Sequence, residues 1–577
     1  MTYRWSLAPA QPALAEHLAR ELGISMLLAQ CLLNRGLSEP VAIAAFLDPR
    51  LKQMADPFLL PDMGRAVERL FVARERDELV VIFGDYDVDG VTSTALLTEV
   101  LRTLGWRVEW YLPHRMDEGY GLSQDGVENC LAKFPAKLLL AVDCGSTAVE
   151  SVGWLRQRGV EVMVLDHHQV SSPAPAACAL VNPQLTPVGQ PGFRELCSAG
   201  LAFKLAHALV KRGRETGLAG AETFDIRSLL DLVALGTIAD RVPLTGENRI
   251  LVTAGLERLN TTRRPGLVAL KEVAQTAGTI GVHEVGFQFG PRLNAAGRLE
   301  NAAAALQLVL AGSLAEAGPL AKALDAQNRE RQKIERSIAE EVIGAVRARF
   351  NPESDYVIVE GQLLWHIGVV GIVASRVMRE FHRPALVLGG ESGEWRGSGR
   401  SIEGFDLAAA LRECGDLLIR HGGHAMAAGV TIHPDNVEVF RKRLNEMARR
   451  TLTPEQLQPA LRLDAETSLA EMTVERLEEL ARLEPVGQGN AGVHLAVRGV
   501  KLQRPPMRMG KEQQHVKLWV TDGRAVCEAV WWNAGAARMP DGMFDVAFVP
   551  QINEYKGKRT VQLKLLDWRA VRQAAKF

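Results

Sequence analysis

Residues 84–90 read Gly-Asp-Tyr-Asp-Val-Asp-Gly, so Asp85, Asp87 and Asp89 set three carboxylates within five positions, directly after the apolar run 79–83. Carboxylates this close repel one another unless a cation or a proton neutralises them. The pattern recurs downstream. The apolar run 138–142 leads into Asp143, and the run 160–165 leads into Asp166, His167 and His168. Carboxylate oxygens suit magnesium or manganese, and an added imidazole moves the preference toward manganese without excluding magnesium. Four carboxylates and a histidine can hold two divalent cations about 3.5–4 Å apart, a separation that activates a water on one side of a phosphate and neutralises charge on the other. The plainer alternative is that Asp85, Asp87 and Asp89 cap the following helix or form an exposed turn, and that the histidines are satisfied core residues. For any single residue the two readings stand level. Three strand-like runs that each end in ligand types, within about a hundred residues, favour the metal.

Such residues meet only if the runs before them are neighbouring strands. Apolar runs at 79–83, 107–112, 138–142, 160–165 and 178–181 alternate with helical patterns such as 92–104 and 147–157. That alternation predicts a parallel sheet covered by helices, and open α/β sheets bind ligands beyond the carboxyl ends of their strands. Residues 1–55 read as short helices and 195–275 as mainly helical. Between 319 and 350, Ile334, Ile338, Val342, Val346 and Phe350 recur every fourth position in a charged background, which predicts a long connecting helix with one apolar face. A second α/β region spans about 354–450, with strands near 356–360 and 385–388 and glycine-dense loops between them. Proline and polar residues at 451–459 suggest a linker. Beyond it, short β runs at 494–497, 515–520, 525–532, 544–549 and 561–566 suit a small barrel of the oligonucleotide-binding (OB) type. The expected fold class is therefore α/β, with two α/β lobes joined by a long helix and a C-terminal OB-type β-barrel. The divisions fall at 1–55, 56–317, 318–351, 352–450 and 451–577.

A chain of 577 residues is too long for one ordinary core, and 47% apolar content argues against extended disorder. The formal net charge of −1 conceals a division, because from Arg498 onward fifteen Lys or Arg face seven Asp or Glu. That basic segment also carries Trp519, Trp531, Trp532 and Trp568, and Tyr555 beside Lys556, Lys558 and Arg559. Aromatic platforms with cations are what sequence-tolerant single-strand binding uses, although at least one of the adjacent Trp531 and Trp532 must face the barrel core. The seven cysteines form no Cys-x-x-Cys pair, which disfavours a disulfide framework or zinc ribbon, and Cys144 reads as a small buried hydrophobe. Glu16, Arg20 and Glu21 interrupt the first apolar stretch, so it does not read as a signal peptide, and no run approaches about eighteen apolar residues. The expectation is a soluble, cytoplasmic protein without a membrane partner.

The sequence is similar to the DHH phosphoesterase superfamily, in Asp-His-His after a strand and in the upstream Gly-Asp-Tyr-Asp-Val-Asp-Gly run. Within it the chain resembles the bacterial single-strand-specific 5′ to 3′ exonucleases, through the segments 117–123, 231–244, 290–300, 365–376, 396–401 and 422–429, which occur in family order. The resemblance implies that the two lobes are a DHH catalytic domain and a DHHA1-type substrate-gripping domain. It implies that Asp87 binds one metal, that Asp143 bridges, and that Asp89, His167 and Asp240 complete the second site, with Asp85 a ligand or an orienting neighbour. His168 would contact the scissile phosphate and Asp166 would orient its neighbours. Arg115, Arg298, Ser398 and Arg400 would recognise the 5′-terminal phosphate, and the glycine-serine run 396–401 is expected to be a loop offering backbone N–H groups to an anion. His424 would touch phosphate or satisfy a buried hydrogen bond. The implied cofactor is Mn2+ or Mg2+, two per site, and the implied partners are single-stranded DNA, single-stranded-DNA-binding protein and a RecQ-type helicase. Two rivals remain open: a DHH activity on short oligonucleotides, cyclic dinucleotides or pyrophosphate, and a non-catalytic DNA-binding scaffold. A small substrate requires no basic barrel, and scaffolds lose ligands that this chain retains.

Overall fold

The structure is a computed structural model that describes residues 3–114, 117–119, 121–187, 193–299, 302–390 and 393–571. Its backbone divides into two compact units, one of residues 50–457 with 487–489, the other of residues 1–49, 458–486 and 490–577.

The first unit contains a five-stranded, all-parallel sheet of β1 (Val80–Gly84), β2 (Val108–Tyr111), β3 (Leu138–Val142), β4 (Glu161–Leu165) and β5 (Ala179–Val181), in the order β2-β1-β3-β4-β5. Strands β1 and β3 are buried at every position, as unbroken Val, Ile, Leu and Phe runs require when helices cover both faces. Register aligns the strand ends. Gly84 pairs with Val142, and Val142 with Leu165, so the next residues, Asp85, Asp143 and Asp166, emerge side by side at one edge. The chain leaves β1 for β2 on one side and returns to β3 on the other, which makes that edge the switch point where α/β sheets open a crevice.

Three helices close this edge: α1 (Val88–Thr103), α2 (Ser198–Thr216) and α3 (Leu230–Asp240). Helix α3 is apolar around most of its circumference and buried from Leu230 to Ile238, so it runs through the core and delivers Asp240 at its last position. Helix α4 (Gly290–Leu299) follows a short π-helical turn, Val285–Phe289. The connecting helix α5 runs from Leu314 to Arg349, and its Ile338, Val342 and Val346 pack with Trp365, Val370 and Val373. Beyond it lies a second five-stranded sheet: β6 (Ile358–Leu363), β7 (Ala385–Gly390), β8 (Trp395–Arg400), β9 (Leu418–His424) and β10 (Ala427–Ile432), in the order β9-β10-β8-β7-β6. Helix α6 (Val370–Phe381) covers it.

The run 396–401 is not the loop that its glycines suggest. It forms most of the central strand β8, and its backbone is committed to ladders with β7 and β10. The glycines are there for packing: a Cβ on Gly399 would sit 2.5 Å from Leu407, and one on Gly397 would overlap Leu388.

In the second unit the C-terminal strands form a seven-stranded sheet whose extra pairing, Leu495–Leu502 with His515–Thr521, closes it toward a barrel. The N-terminal helices Pro12–Leu22 and Met26–Leu33 share its core, with Leu28 and Leu32 in one cluster with Leu480, Leu518 and Phe548. Arg4–Leu7 adds a strand that the sequence did not suggest, parallel to Ala460–Leu463. Trp531 packs against the core while Trp532 is exposed, as adjacent strand residues must be.

Candidate active site

Three of the acidic residues, Asp87, Asp89 and Asp143, are held by definable local interactions. Asp87 is the N-cap of α1 and its Oδ1 accepts from the backbone N–H groups of Asp89 and Gly90 at 2.9 and 3.1 Å. Capping and a site role thus coexist in one side chain. Asp89, buried in the first turn, accepts from the N–H groups of Ser198 and Ala199 at 2.7 and 2.8 Å, so the N-terminus of α2 points at it. Asp143 accepts from Ser198 Oγ at 2.9 Å and lies at a left-handed φ of +63°, a conformation that costs a non-glycine residue roughly 1–2 kcal/mol. Gly90 permits the tight turn, because a Cβ there would overlap the carbonyl of Asp85.

Ligand-type atoms converge in three groups, each within 4.8 Å: Asp85, Asp87 and Asp143; Asp89, His167 and Asp240; and Asp143, His167 and His168. Asp143 and His167 each belong to two of them. His167 Nε2 is buried and makes no hydrogen bond to a described residue, yet Asp143 Oδ1, Asp240 Oδ2 and Asp89 Oδ2 stand 3.4, 3.6 and 3.9 Å away. A lone pair and three carboxylates aimed at one point fit a cation.

The electrostatics agree. Burial and the neighbouring His168 push His167 down to about 4, leaving it neutral and able to ligate. Burial and Asp87 raise Asp240 to about 6. Asp89 and Asp143 are raised well above the carboxylate range, first by burial and then by one another's neighbours, the repulsion that a bound cation relieves. His168 behaves oppositely. Burial lowers it, but its Nδ1 stands 2.8 Å from Asp166 Oδ1, and this partner lifts it to about 9. Asp166 is itself held by the Ser146 N–H at 3.0 Å and pulled below the usual carboxylate range by His168 despite its burial.

Beside the end of α3 lies a cavity of about 720 Å³ between the two lobes, lined by Arg241, Arg298, Arg331, Arg379 and Arg400 and, among the described residues, by no acidic one. Arg400 donates to Ser398 Oγ and to the carbonyl of Gly399, both at 2.8 Å, and burial followed by the nearby Arg241 lowers its pKa. Arg298 donates to the carbonyl of Gly368 at 3.1 Å, from the opposite wall. His424 ends the edge strand β9, exposed and two strands from Arg400, and does not line this cavity. Arg115 lies outside the described residues.

Sequence reasoning did not find Ser198, Ser146, Arg241, Arg331 or Asn294. Asn294 Oδ1 accepts from the Val88 N–H at 3.1 Å, tying α4 to the start of α1. Its signal was its place inside the 290–300 segment; Ser198 and Ser146 carried none, being single hydroxyl residues in ordinary contexts.

Carboxylates and imidazoles gathered at a sheet's switch point, beside an arginine-lined cavity, define a divalent-metal phosphoesterase of the DHH class. The family descriptions "DHH family, N-terminal domain" (residues 79–237), "DHHA1 domain" (354–450) and "RecJ OB domain" (463–567) all match this chain. It is 36% identical over 576 residues to the single-stranded-DNA-specific exonuclease RecJ of Bacillus subtilis strain 168, covering 98% of this chain and 70% of that protein. It is structurally similar to RecJ from Thermus thermophilus in complex with Mn2+, at a TM-score of 0.84 and 30% identity over 99% of this chain and 80% of that one. The Mg2+ complex of the same protein gives a TM-score of 0.78 at 29% identity, over 99% of this chain and 79% of that one. The chain belongs to the RecJ family of single-stranded-DNA-specific exonucleases. Its cofactor is Mn2+ or Mg2+.

Proposed function

We propose that this chain hydrolyses phosphodiester bonds of single-stranded DNA from the 5′ end and releases 5′-mononucleotides. The observation that carries the reading is the adjacency of the overlapping Asp and His clusters to the arginine-lined cavity. In this reading Asp85, Asp87 and Asp143 hold one cation, and Asp89, His167, Asp240 and the shared Asp143 hold the other. When bound, the pair activates water and neutralises phosphate charge. Protonated at neutral pH, His168 donates a hydrogen bond to a non-bridging phosphate oxygen, and Asp166 fixes its ring for that contact. Arg298, Arg400 and Ser398 receive the 5′-terminal phosphate, joined by Arg115, and His424 meets the strand outside the cavity. The space of about 720 Å³ suits a few nucleotides and is too small for a duplex.

The assignment of 56–317 as catalytic domain, 318–351 as connector, 352–450 as substrate-gripping domain and 451–577 as linker and nucleic-acid-binding barrel belongs to the same proposal, with 1–55 as an N-terminal extension. So does a place in the cytoplasm, in DNA repair and recombination, with a RecQ-type helicase and single-stranded-DNA-binding protein supplying the strand. No described helix is long and apolar enough to cross a membrane. The test is degradation of end-labelled single-stranded and duplex DNA with Mn2+, with Mg2+ and with EDTA. Mononucleotides released from the 5′ end of single strands, dependent on metal, are expected. Equal cleavage of blunt duplex, or preference for a cyclic dinucleotide, would overturn the reading.

A further inference from the structure

Phe287 is 70% exposed, and that alone carries no meaning, since single apolar residues are common on surfaces. Its setting is the informative part. Phe287 lies in the π-helical turn Val285–Phe289, the single stretch of this kind among the described residues, and such turns recur at functional sites because they re-aim a side chain. The turn runs directly into α4, and Phe287, Gly290, Pro291, Asn294 and Arg298 together form one wall of the arginine-lined cavity. The ring of His283 lies 4.8 Å from that of Phe287 at an interplanar angle of 31°, so the aromatic surface is backed by a second ring.

From these relations we infer that Phe287, supported by His283, is a stacking platform for a nucleobase of the bound strand, a contact that none of the phosphate-directed arginines supplies. An exposed aromatic face beside cationic side chains is the combination that single-strand grooves use to hold bases without reading them. Phe287 and Arg298 line the same cavity eleven residues apart in the chain, one in the π-helical turn and the other near the far end of α4. The platform therefore meets a base away from the phosphate that Arg298 holds, and acts on strand retention and length preference rather than on the reacting bond. This inference rests on the proposed single-strand exonuclease reading.

The test compares Phe287→Ala, Phe287→Leu and Phe287→Trp with the wild type on an eight-nucleotide strand, on a dinucleotide, and on eight-nucleotide strands carrying one abasic position at each site in turn. Phe287→Ala and Phe287→Leu should each weaken binding of the longer strand by about 5- to 150-fold, the range expected for one stacked base, and Phe287→Trp should restore it. The loss on the dinucleotide should be smaller. In the wild type one abasic position should reproduce the loss, and Phe287→Ala should add nothing to it. Mn2+ titration of each variant checks that the fold is retained. If Phe287→Leu binds the long strand as the wild type does, or if no abasic position is silent in Phe287→Ala, the stacking platform is refuted. If the wild type itself neither binds nor degrades single strands, it is the exonuclease reading that fails, a result distinguishable from failure of the platform.

Discussion

His168 Nδ1 and Asp166 Oδ1 stand 2.8 Å apart, and this pair separates the two adjacent histidines into a charged one and a neutral one. The folded pKa of His168 is raised from 6.5 to about 9, so the stabilisation from the pair is complete below 6.5 and lost as the pH rises through 9. Asp166→Asn removes the largest of the groups that raise His168 and leaves Asp240 and Asp89 alone to oppose its burial, so its pKa should fall. Activity at pH 8 should fall by about 10- to 100-fold, and the alkaline limb of the pH–rate profile should move down by more than one unit. An unmoved limb would separate His168 protonation from catalysis.

Asp143 is raised by burial and by Asp89, Asp87 and Asp85, so without metal its ionised form is a liability at neutral pH. Asp143→Asn should raise the Tm of the EDTA-treated protein at pH 7.5 and abolish the Tm gain that Mn2+ gives the wild type. Asn is the appropriate substitution because it tolerates the left-handed backbone at this position, where Ala would add roughly 1–2 kcal/mol of strain. Scanning calorimetry with and without Mn2+ gives the answer.

Metal affinity should depend on pH through Asp240. Its folded pKa is raised from 3.8 to about 6, so the metal-free fold is favoured below 3.8 and loses that advantage as the pH rises through 6. A cation must displace the proton, and the Mn2+ affinity should rise roughly tenfold per pH unit below 6 for each proton released, with Asp89 and Asp143, also raised, adding to the protons displaced. Titration calorimetry in buffers of different ionisation enthalpy counts those protons.

Gly236 on α3 faces the site's packing, and a Cβ there would lie 2.5 Å from both Ala199 and Thr92 and 2.8 Å from Asp89 Oδ1. Gly236→Ala should cost about 1–3 kcal/mol through overpacking and, by displacing Asp89 or Asp240, weaken Mn2+ binding as well. A stable variant with unchanged metal affinity would show that α3 can shift without moving its ligand. Urea unfolding together with Mn2+ titration distinguishes these outcomes.

Arg400 lines the cavity, and on the proposed reading it receives the terminal phosphate, so Arg400→Ala should weaken use of 5′-phosphorylated strands more than of 5′-hydroxyl strands while leaving Mn2+ binding intact. Loss of a charge-assisted contact is worth about 1.5–3 kcal/mol, roughly 10- to 150-fold in kcat/KM. Equal losses on both substrates would assign Arg400 to general strand binding or to structure.

Much of the fold was legible because its causes are local. The runs 79–83, 138–142 and 160–165 are short, rich in Val, Leu and Ile and set off by polar or glycine-rich segments, the pattern of buried strands, and all three are strands within one residue of the expected bounds. The long helix announced itself by a four-residue apolar spacing, and the β-rich barrel by short runs between turns. Glycines misled where they answered a distant neighbour: Gly397 and Gly399 are small because Leu388 and Leu407 lie above them, and that neighbour is invisible along the chain. The strand Arg4–Leu7 escaped notice for a related reason, since its partner at Ala460–Leu463 is supplied from the far end of the sequence.

By itself the sequence determined which chemistry was available: carboxylates crowded beyond strand ends, an adjacent histidine pair, and a charge division that leaves the basic excess in the C-terminal segment. Those are properties of residue type and short spacing. Only the tertiary structure decided how they divide the work. Parallel register lines up Asp85, Asp143 and Asp166, helix α3 carries Asp240 to within 3.6 Å of His167, and the N-terminus of α2 fixes Asp89 from more than a hundred residues away. Whether an imidazole is neutral or charged depends on which carboxylate lies 2.8 Å from it and how much water reaches it, and the three-dimensional packing alone sets both for His167 and His168.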